Sequence, residues 1–247
     1  MLQFLLGTLI VLVLSLCWYL PVYKKAAGPD RVDKKTLRNT FFVGLFPAFI
    51  VAFAIQMGLA YIYNHVGLEE GTVARTIITA FISYALVEEC SKMFFGSIMV
   101  KRLKEVNAKN YILVFGMIGI GFEIFESMLL VASAGLIGAA FRGILALHVI
   151  CQIWMGGYYY RAYRCRENAD REGFRRNMIL ALLIPVLVHG FHDSCGAAHI
   201  LTEGMGSAGT VITVAVYVLA VAFDLMLAAG GYRNAFKAIA AKTEYQV

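Results

Sequence analysis

Charge is scarce in this chain. Of 247 residues, 15% are charged and 60% hydrophobic, with a mean hydropathy of +0.71. A soluble domain carries roughly a quarter charged residues, so that class is excluded and an integral membrane protein is indicated. The five cysteines (Cys17, Cys90, Cys151, Cys165 and Cys195) include no CxxC pair. A disulfide framework and a cysteine-based zinc site are therefore set aside, leaving small, buried apolar residues as the reading. No HExxH occurs, and no alternation of apolar and polar residues suggests a strand. Internal repeats, low-complexity linkers and a basic segment ahead of the first apolar run are also missing. The first run is thus read as a retained helix rather than a signal peptide.

What is present is length without charge. A helix needs about 20 apolar residues to cross the hydrocarbon core. Seven stretches qualify, at 2–22, 41–63, 74–100, 110–134, 138–160, 178–199 and 209–231. The expected fold is an all-α polytopic bundle of about seven transmembrane helices, one domain over 1–247. Of the 22 basic residues, nineteen fall in 24–38, 101–109, 161–176 and 233–242; the turns near 65–72, 135–137 and 200–208 have none. That bias predicts the N-terminus outside and the C-terminus in the cytoplasm. It also explains the net charge of +6 by membrane topology, with no nucleic acid as partner.

Against this background the ionisable residues inside the helices stand out. The third stretch holds Glu88, Glu89 and Lys92; the fourth Glu123 and Glu126; the fifth Arg142 and His148; the sixth His189, His192 and Asp193. Each charge facing lipid would cost roughly 2.5–3.5 kcal/mol on insertion scales. They are expected to turn inward and meet near mid-membrane. Glu88 and Lys92 are four apart, as are His189 and Asp193, so each pair shares a helix face. Several carboxylates in one low-dielectric cavity cannot all be ionised together, so protons are shared among them. A carboxylate base, a histidine and a donor for a developing oxyanion are the parts that hydrolyse an amide with activated water.

These residues also carry a resemblance. "EECSK" (88–92) is similar to the EExxK motif of the PrsW-type intramembrane proteases. "FEIFE" (122–126) fits their FxxxE motif and "HVICQIWMG" (148–156) their histidine-bearing helix, while "HGFHD" (189–193) resembles HxxxD/N. The motifs occur in the family's order across about 74–199, the motif-bearing core. The family belongs with the CAAX-prenyl-protease and bacteriocin-processing superfamily and is regarded as glutamate-dependent. The resemblance implies Glu88 as the base for water and Glu89 as its support or the positioner of Lys92. It implies His189 as oxyanion donor, with Asp193 orienting it or donating directly. Glu126, introduced by Phe122, stands where the prenyl-protease branch has a histidine, and His148 is the candidate partner of Glu88. Arg142 is expected to pair with one of the acids, while Glu123, His192 and Asp224 are read as structural. The implied substrate is a membrane-anchored protein or peptide, such as an anti-sigma factor, in a bacterial plasma membrane, with no cofactor.

Two other readings stay open. One is a zinc protease using His148, His189 and a glutamate. The other is a proton-coupled transporter or a scaffold, since intramembrane acids and histidines also relay protons. Glycines in "GMIGIG" (116–121) and "MGG" (155–157) are read as sites of close helix packing.

Overall fold

The computed structural model describes residues 2–195 and 197–240, with side chains throughout except at 2, 4 and 132–143. Among these residues every regular element is a helix. Helix α1 spans Leu2–Lys25. Helix α2 (Lys34–Val43) continues through a π-helical turn, Gly44–Ala48, into α3 (Phe49–His65). Helix α4 (Val73–Ile78) likewise passes through a longer π segment, Thr79–Leu86, into α5 (Val87–Val100). Then follow α6 (Ala108–Leu145), α7 (Leu147–Glu167), α8 (Arg171–Ser194), α9 (Ala197–Leu201) and α10 (Gly206–Ala240).

Five helical stretches among the described residues are long and apolar enough to cross a membrane: Leu5–Lys25, Lys34–His65, Ala108–Val131, Arg171–Leu201 and Gly206–Ala240. The other two expected crossings are present as helical rods, Val73–Val100 and Leu147–Glu167. Their polar residues lower their apolar character. The protein is an all-α integral membrane bundle.

Local chemistry sets the helix ends. Asp33, Thr72, Asn107 and Asp170 are N-caps, each accepting a backbone N–H three residues on. Arg75 is buried beneath the loop before α4. It donates to the Leu68 carbonyl and to Asn64 Oδ1 and lies 4.6 Å over the Tyr63 ring. At the opposite, basic end, Asn110 donates to the Asp30 carbonyl at 2.8 Å and accepts from Val32 N at 2.7 Å. Lys109 pairs with the Asp30 carboxylate, so the 26–33 loop is fastened to the start of α6.

The fourth and fifth helices were expected to part near 135–137. Instead the helical run continues to Leu145 and breaks at Ala146, which sits in the left-handed region at φ 39°. His148 is therefore the second residue of α7 and not a mid-helix residue. Its backbone N–H nevertheless lies 3.2 Å from Glu123 Oε2 on α6. A straight helix from Glu123 to Leu145 would cover about 33 Å, so the chain reverses between them. Beyond the left-handed residue Ala146, α7 runs back along α6, with His148 beside Gly119 and Gly156 beside Ile112. The crossing is close: a Cβ on Gly119 would stand 2.6 Å from the His148 carbonyl oxygen. Two residues on and across the helix, a Cβ on Gly121 would stand 2.2 Å from the Phe41 carbonyl oxygen. Only glycine fits such backbone approaches.

The cysteines divide. Cys151 and Cys195 are buried as expected, whereas Cys17 and Cys90 are exposed on the helix surface and Cys165 is half-buried. An apolar thiol costs little against lipid, so burial in protein is not required of it.

Candidate active site

Helices α5, α6, α7 and α8 bring Glu88, Glu89, Lys92, Phe122, Glu126, His148, His189 and Asp193 into one cluster. Its centre is Glu89, fully buried. Glu89 Oε1 accepts from Lys92 Nζ at 2.6 Å and from His189 Nδ1 at 3.1 Å. Its Oε2 accepts from Gln152 Nε2 at 2.7 Å. Three donors on one carboxylate leave it little capacity for chemistry.

Lys92, also fully buried, contacts the His148 Nδ1 at 2.8 Å and stands 4.4 Å over the Phe122 ring. An ammonium has donors only. His148 Nδ1 therefore accepts, and its Nε2 carries the proton. That Nε2–H donates to Glu126 Oε2 at 2.5 Å. Phe122 packs edge-on against the His148 ring, which in turn packs edge-on against His189 at 4.9 Å. The two imidazoles are thus held by rings as well as by hydrogen bonds.

Glu88 differs from its neighbour. Its Oε1 accepts from Gln56 Nε2 at 2.8 Å. Its Oε2 is sealed from solvent and has no hydrogen-bond partner among the described residues. That oxygen lies 3.7 Å from Lys92 Nζ and 3.9 Å from both His148 Nε2 and His189 Nε2. These gaps are too long for direct hydrogen bonds. His189 Nε2 lies 3.1 Å from Asp193 Oδ2. Burial is graded: the Glu89–Lys92 pair is closed off, whereas the Glu126 and Asp193 side chains are 23% and 19% exposed. The cluster opens at its Glu126–Asp193 rim.

The remaining acids and histidines have structural settings. Glu123 accepts the His148 backbone N–H, and Ser127 approaches its other oxygen at 3.4 Å. It faces the buried N-terminus of α7, where a carboxylate offsets the helix dipole. His192 pairs with Asp224 on α10 at 2.7 Å, fastening α10 to α8. The side chain of Arg142 lies outside the described residues. Two contributors were not foreseen, Gln56 and Gln152. Each left a trace in the sequence. Gln56 is the one polar residue in the run 49–60, and Gln152 follows His148 by four, on the same helix face.

An acid–histidine cluster sealed among membrane helices is the equipment of an intramembrane enzyme. Residues 33–225 match the family described as "PrsW family intramembrane metalloprotease", so the chain belongs to the PrsW family of intramembrane proteases. A relative, "Protease PrsW" of Halalkalibacterium halodurans, is 28% identical over 159 residues, 63% of this chain and 67% of that protein. No solved structure gives a significant match.

The family description raises a metal, and among the described residues the site offers one set of ligands. Single atoms of Glu88, His148 and His189 lie within 4.8 Å of one another, all buried. In kind, two histidines and a glutamate suit zinc. His189 carries its Nδ1–H on the Glu89 carboxylate, as a metal ligand would, but its Nε2 lies 3.1 Å from Asp193 Oδ2 and donates there. His148 fits no better. The Lys92 ammonium on Nδ1 puts the proton on Nε2, the nitrogen a metal would need. As hydrogen-bonded here, the set does not accept the ion.

Proposed function

We propose that this protein is a glutamate-dependent intramembrane endopeptidase, with Glu88 as the general base, acting on a membrane-anchored protein or peptide. The observation that carries the proposal is Glu88 Oε2, buried, unbonded and equidistant from two imidazole nitrogens. A polar gap of that size is where a bridging water belongs. In this reading, Glu88 Oε2 takes a proton from the water as the water oxygen bonds to the scissile carbonyl carbon. The carbonyl oxygen becomes an oxyanion, met by the proton on His189 Nε2, which Asp193 orients. As the tetrahedral centre collapses, the C–N bond breaks. The proton held by Glu88 passes to the leaving nitrogen, which restores the carboxylate. His148, held by Lys92 and Glu126, forms the facing wall. Glu89 is a positioning residue that fixes Lys92, His189 and Gln152.

The half-open rim at Glu126 and Asp193 is where a substrate segment would enter. Loop charge supports an N-terminus outside and a C-terminus in the cytoplasm of a bacterial plasma membrane, with 1–247 as one unit. The family resemblance makes a single-pass regulatory protein such as an anti-sigma factor the first substrate class to test. Purified protein in lipid nanodiscs, given a single-pass peptide, is expected to lose roughly 10²–10⁴-fold activity on Glu88→Gln with unchanged thermal unfolding. Full activity of that variant overturns the proposal. Membrane proteomics of cells carrying the native protein or Glu88→Gln would then reveal the cut protein.

A second reading rests on the Glu88–His148–His189 set and on the family description. There Lys92 would turn away from His148, and the three residues would hold a zinc ion that polarises the carbonyl and activates water. Metal content decides between them. Stoichiometric zinc, removed by a chelator together with activity and restored with it, favours the zinc reading. Activity that survives rigorous chelation leaves Glu88 as the base.

A further inference from the structure

About 14–18 Å along α5 from Glu88, by its rise per residue, lies a cavity of about 280 Å³. It is near the lower end of small-ligand sites, roughly 300–1,000 Å³. Its walls come from α5, α6, α7 and α8, the four helices that carry Glu88, Glu126, His148 and His189. It opens at the basic end of the bundle, where Lys101 and Arg166 line it and no acidic residue does. Among the described residues the Lys101 side chain has no hydrogen-bond or ion-pair partner. Arg166 is exposed, lies 5.3 Å over the Tyr163 ring and makes only a loose 3.9 Å contact with Glu167. The tyrosines Tyr159 and Tyr163 add hydroxyls, and Phe174 and Met178 form an apolar wall. One unpaired ammonium, one loosely paired guanidinium, tyrosine hydroxyls and a greasy flank at a membrane boundary form one kind of recognition surface. It suits an amphiphile with an anionic head.

We propose that this cavity binds an anionic glycerophospholipid, its phosphate between Lys101 and Arg166 and an acyl chain against Phe174 and Met178. A lipid seated there touches all four helices of the catalytic cluster below their active ends. Occupancy therefore clamps the cluster, and activity depends on anionic lipid. The binding claim stands apart from the assignment of Glu88, because retained lipid can be read on the intact protein whatever it cuts.

The test uses the full chain in nanodiscs of phosphatidylcholine alone or with about one-fifth phosphatidylglycerol. Native mass spectrometry should show a phosphatidylglycerol retained preferentially, with a raised unfolding temperature and higher proteolytic rate in the mixed discs. Lys101→Gln and Arg166→Gln should each weaken retention about fivefold, the factor expected from roughly 1 kcal/mol per basic residue at an anionic surface. Arg175→Gln, which removes the same charge at the same end but outside the cavity, should leave retention unchanged. Equal loss in that control would mean diffuse surface attraction and overturn the site. So would full stabilisation by inorganic phosphate in phosphatidylcholine discs, which would make the ligand a free anion. No preference for phosphatidylglycerol in the native protein overturns it as well.

Discussion

The two adjacent glutamates of "EECSK" have the same side chain and opposite settings. Glu89 receives three donors, from Lys92, His189 and Gln152. Glu88 receives one, from Gln56, and keeps a bare oxygen. Position on the helix explains the difference, since successive residues point about 100° apart. Only Glu89 faces α7 and the lysine at short range. Two substitutions should therefore fail differently. Glu88→Gln should keep the fold and lose turnover. Glu89→Gln removes the 2.6 Å partner of Lys92 and leaves it only the Glu88 carboxylate at 3.7 Å in a sealed site, and a buried pair that loses one partner costs about 3–5 kcal/mol. Thermal unfolding in detergent should show a large drop for Glu89→Gln and almost none for Glu88→Gln. The double variant Glu89→Gln with Lys92→Met, which removes both charges, should regain much of the stability without regaining activity. Equal unfolding temperatures for the two single variants would contradict this division.

At the scale of elements, glycine decides how closely the helices cross. Gly121 and Gly157 have different surroundings. A methyl group on Gly121 would meet the Phe41 carbonyl oxygen at 2.2 Å and the Leu45 nitrogen at 2.6 Å, both backbone atoms that cannot swing aside. On Gly157 in α7 it would meet nothing within 4 Å. Gly121→Ala should destabilise by about 1–3 kcal/mol, as overpacked sites do. Gly157→Ala should stabilise by roughly 0.5–1 kcal/mol, because alanine loses less backbone entropy in a helix. Unfolding in the same detergent measures both. These crossings also show what the sequence could and could not disclose. Glycine runs beside the acids announced close packing, and mid-helix charges announced an inward face, because lipid penalises both alternatives. The cluster of Glu88, Glu126, His148 and His189 was readable for that reason. The break at Ala146 was not, since alanine is the best helix former and the Glu123–His148 contact beside its left-handed turn joins residues far apart in sequence. Gln56 and Gln152 were overlooked because an uncharged amide barely disturbs an apolar run, although each holds one of the two glutamates.

For the whole molecule the separation of ends matters. Basic residues gather at one end of the bundle and are absent from the turns at the other, the pattern behind the proposed cytoplasmic C-terminus. A reporter fused after Val247 should report the cytoplasmic side, and one inserted near Glu70 the opposite side; reversed signals would overturn the orientation. The basic end also holds the fastening of the 26–33 loop, and its stability should depend on pH. Hydrogen bonding to Lys109 holds the Asp30 carboxyl below the usual carboxylate range, and the backbone N–H of Thr36 does the same for the N-cap Asp33. A group whose folded pKa is lowered favours the folded state above its unfolded pKa, about 3.9 for aspartate. That contribution is lost as pH falls through the folded value. Asp30→Asn should therefore lower the unfolding temperature by a constant amount above about pH 5. The deficit should shrink as pH falls below about 4, because the native carboxylate is then protonated too. Asp30 is nearly half exposed, so salt should shrink the same deficit at neutral pH. The Lys109→Met variant should show the same pH profile as Asp30→Asn, since either change removes the pair. No deficit in either variant would mean that Asp30 holds the loop through its backbone carbonyl to Asn110 alone, and not through its charge.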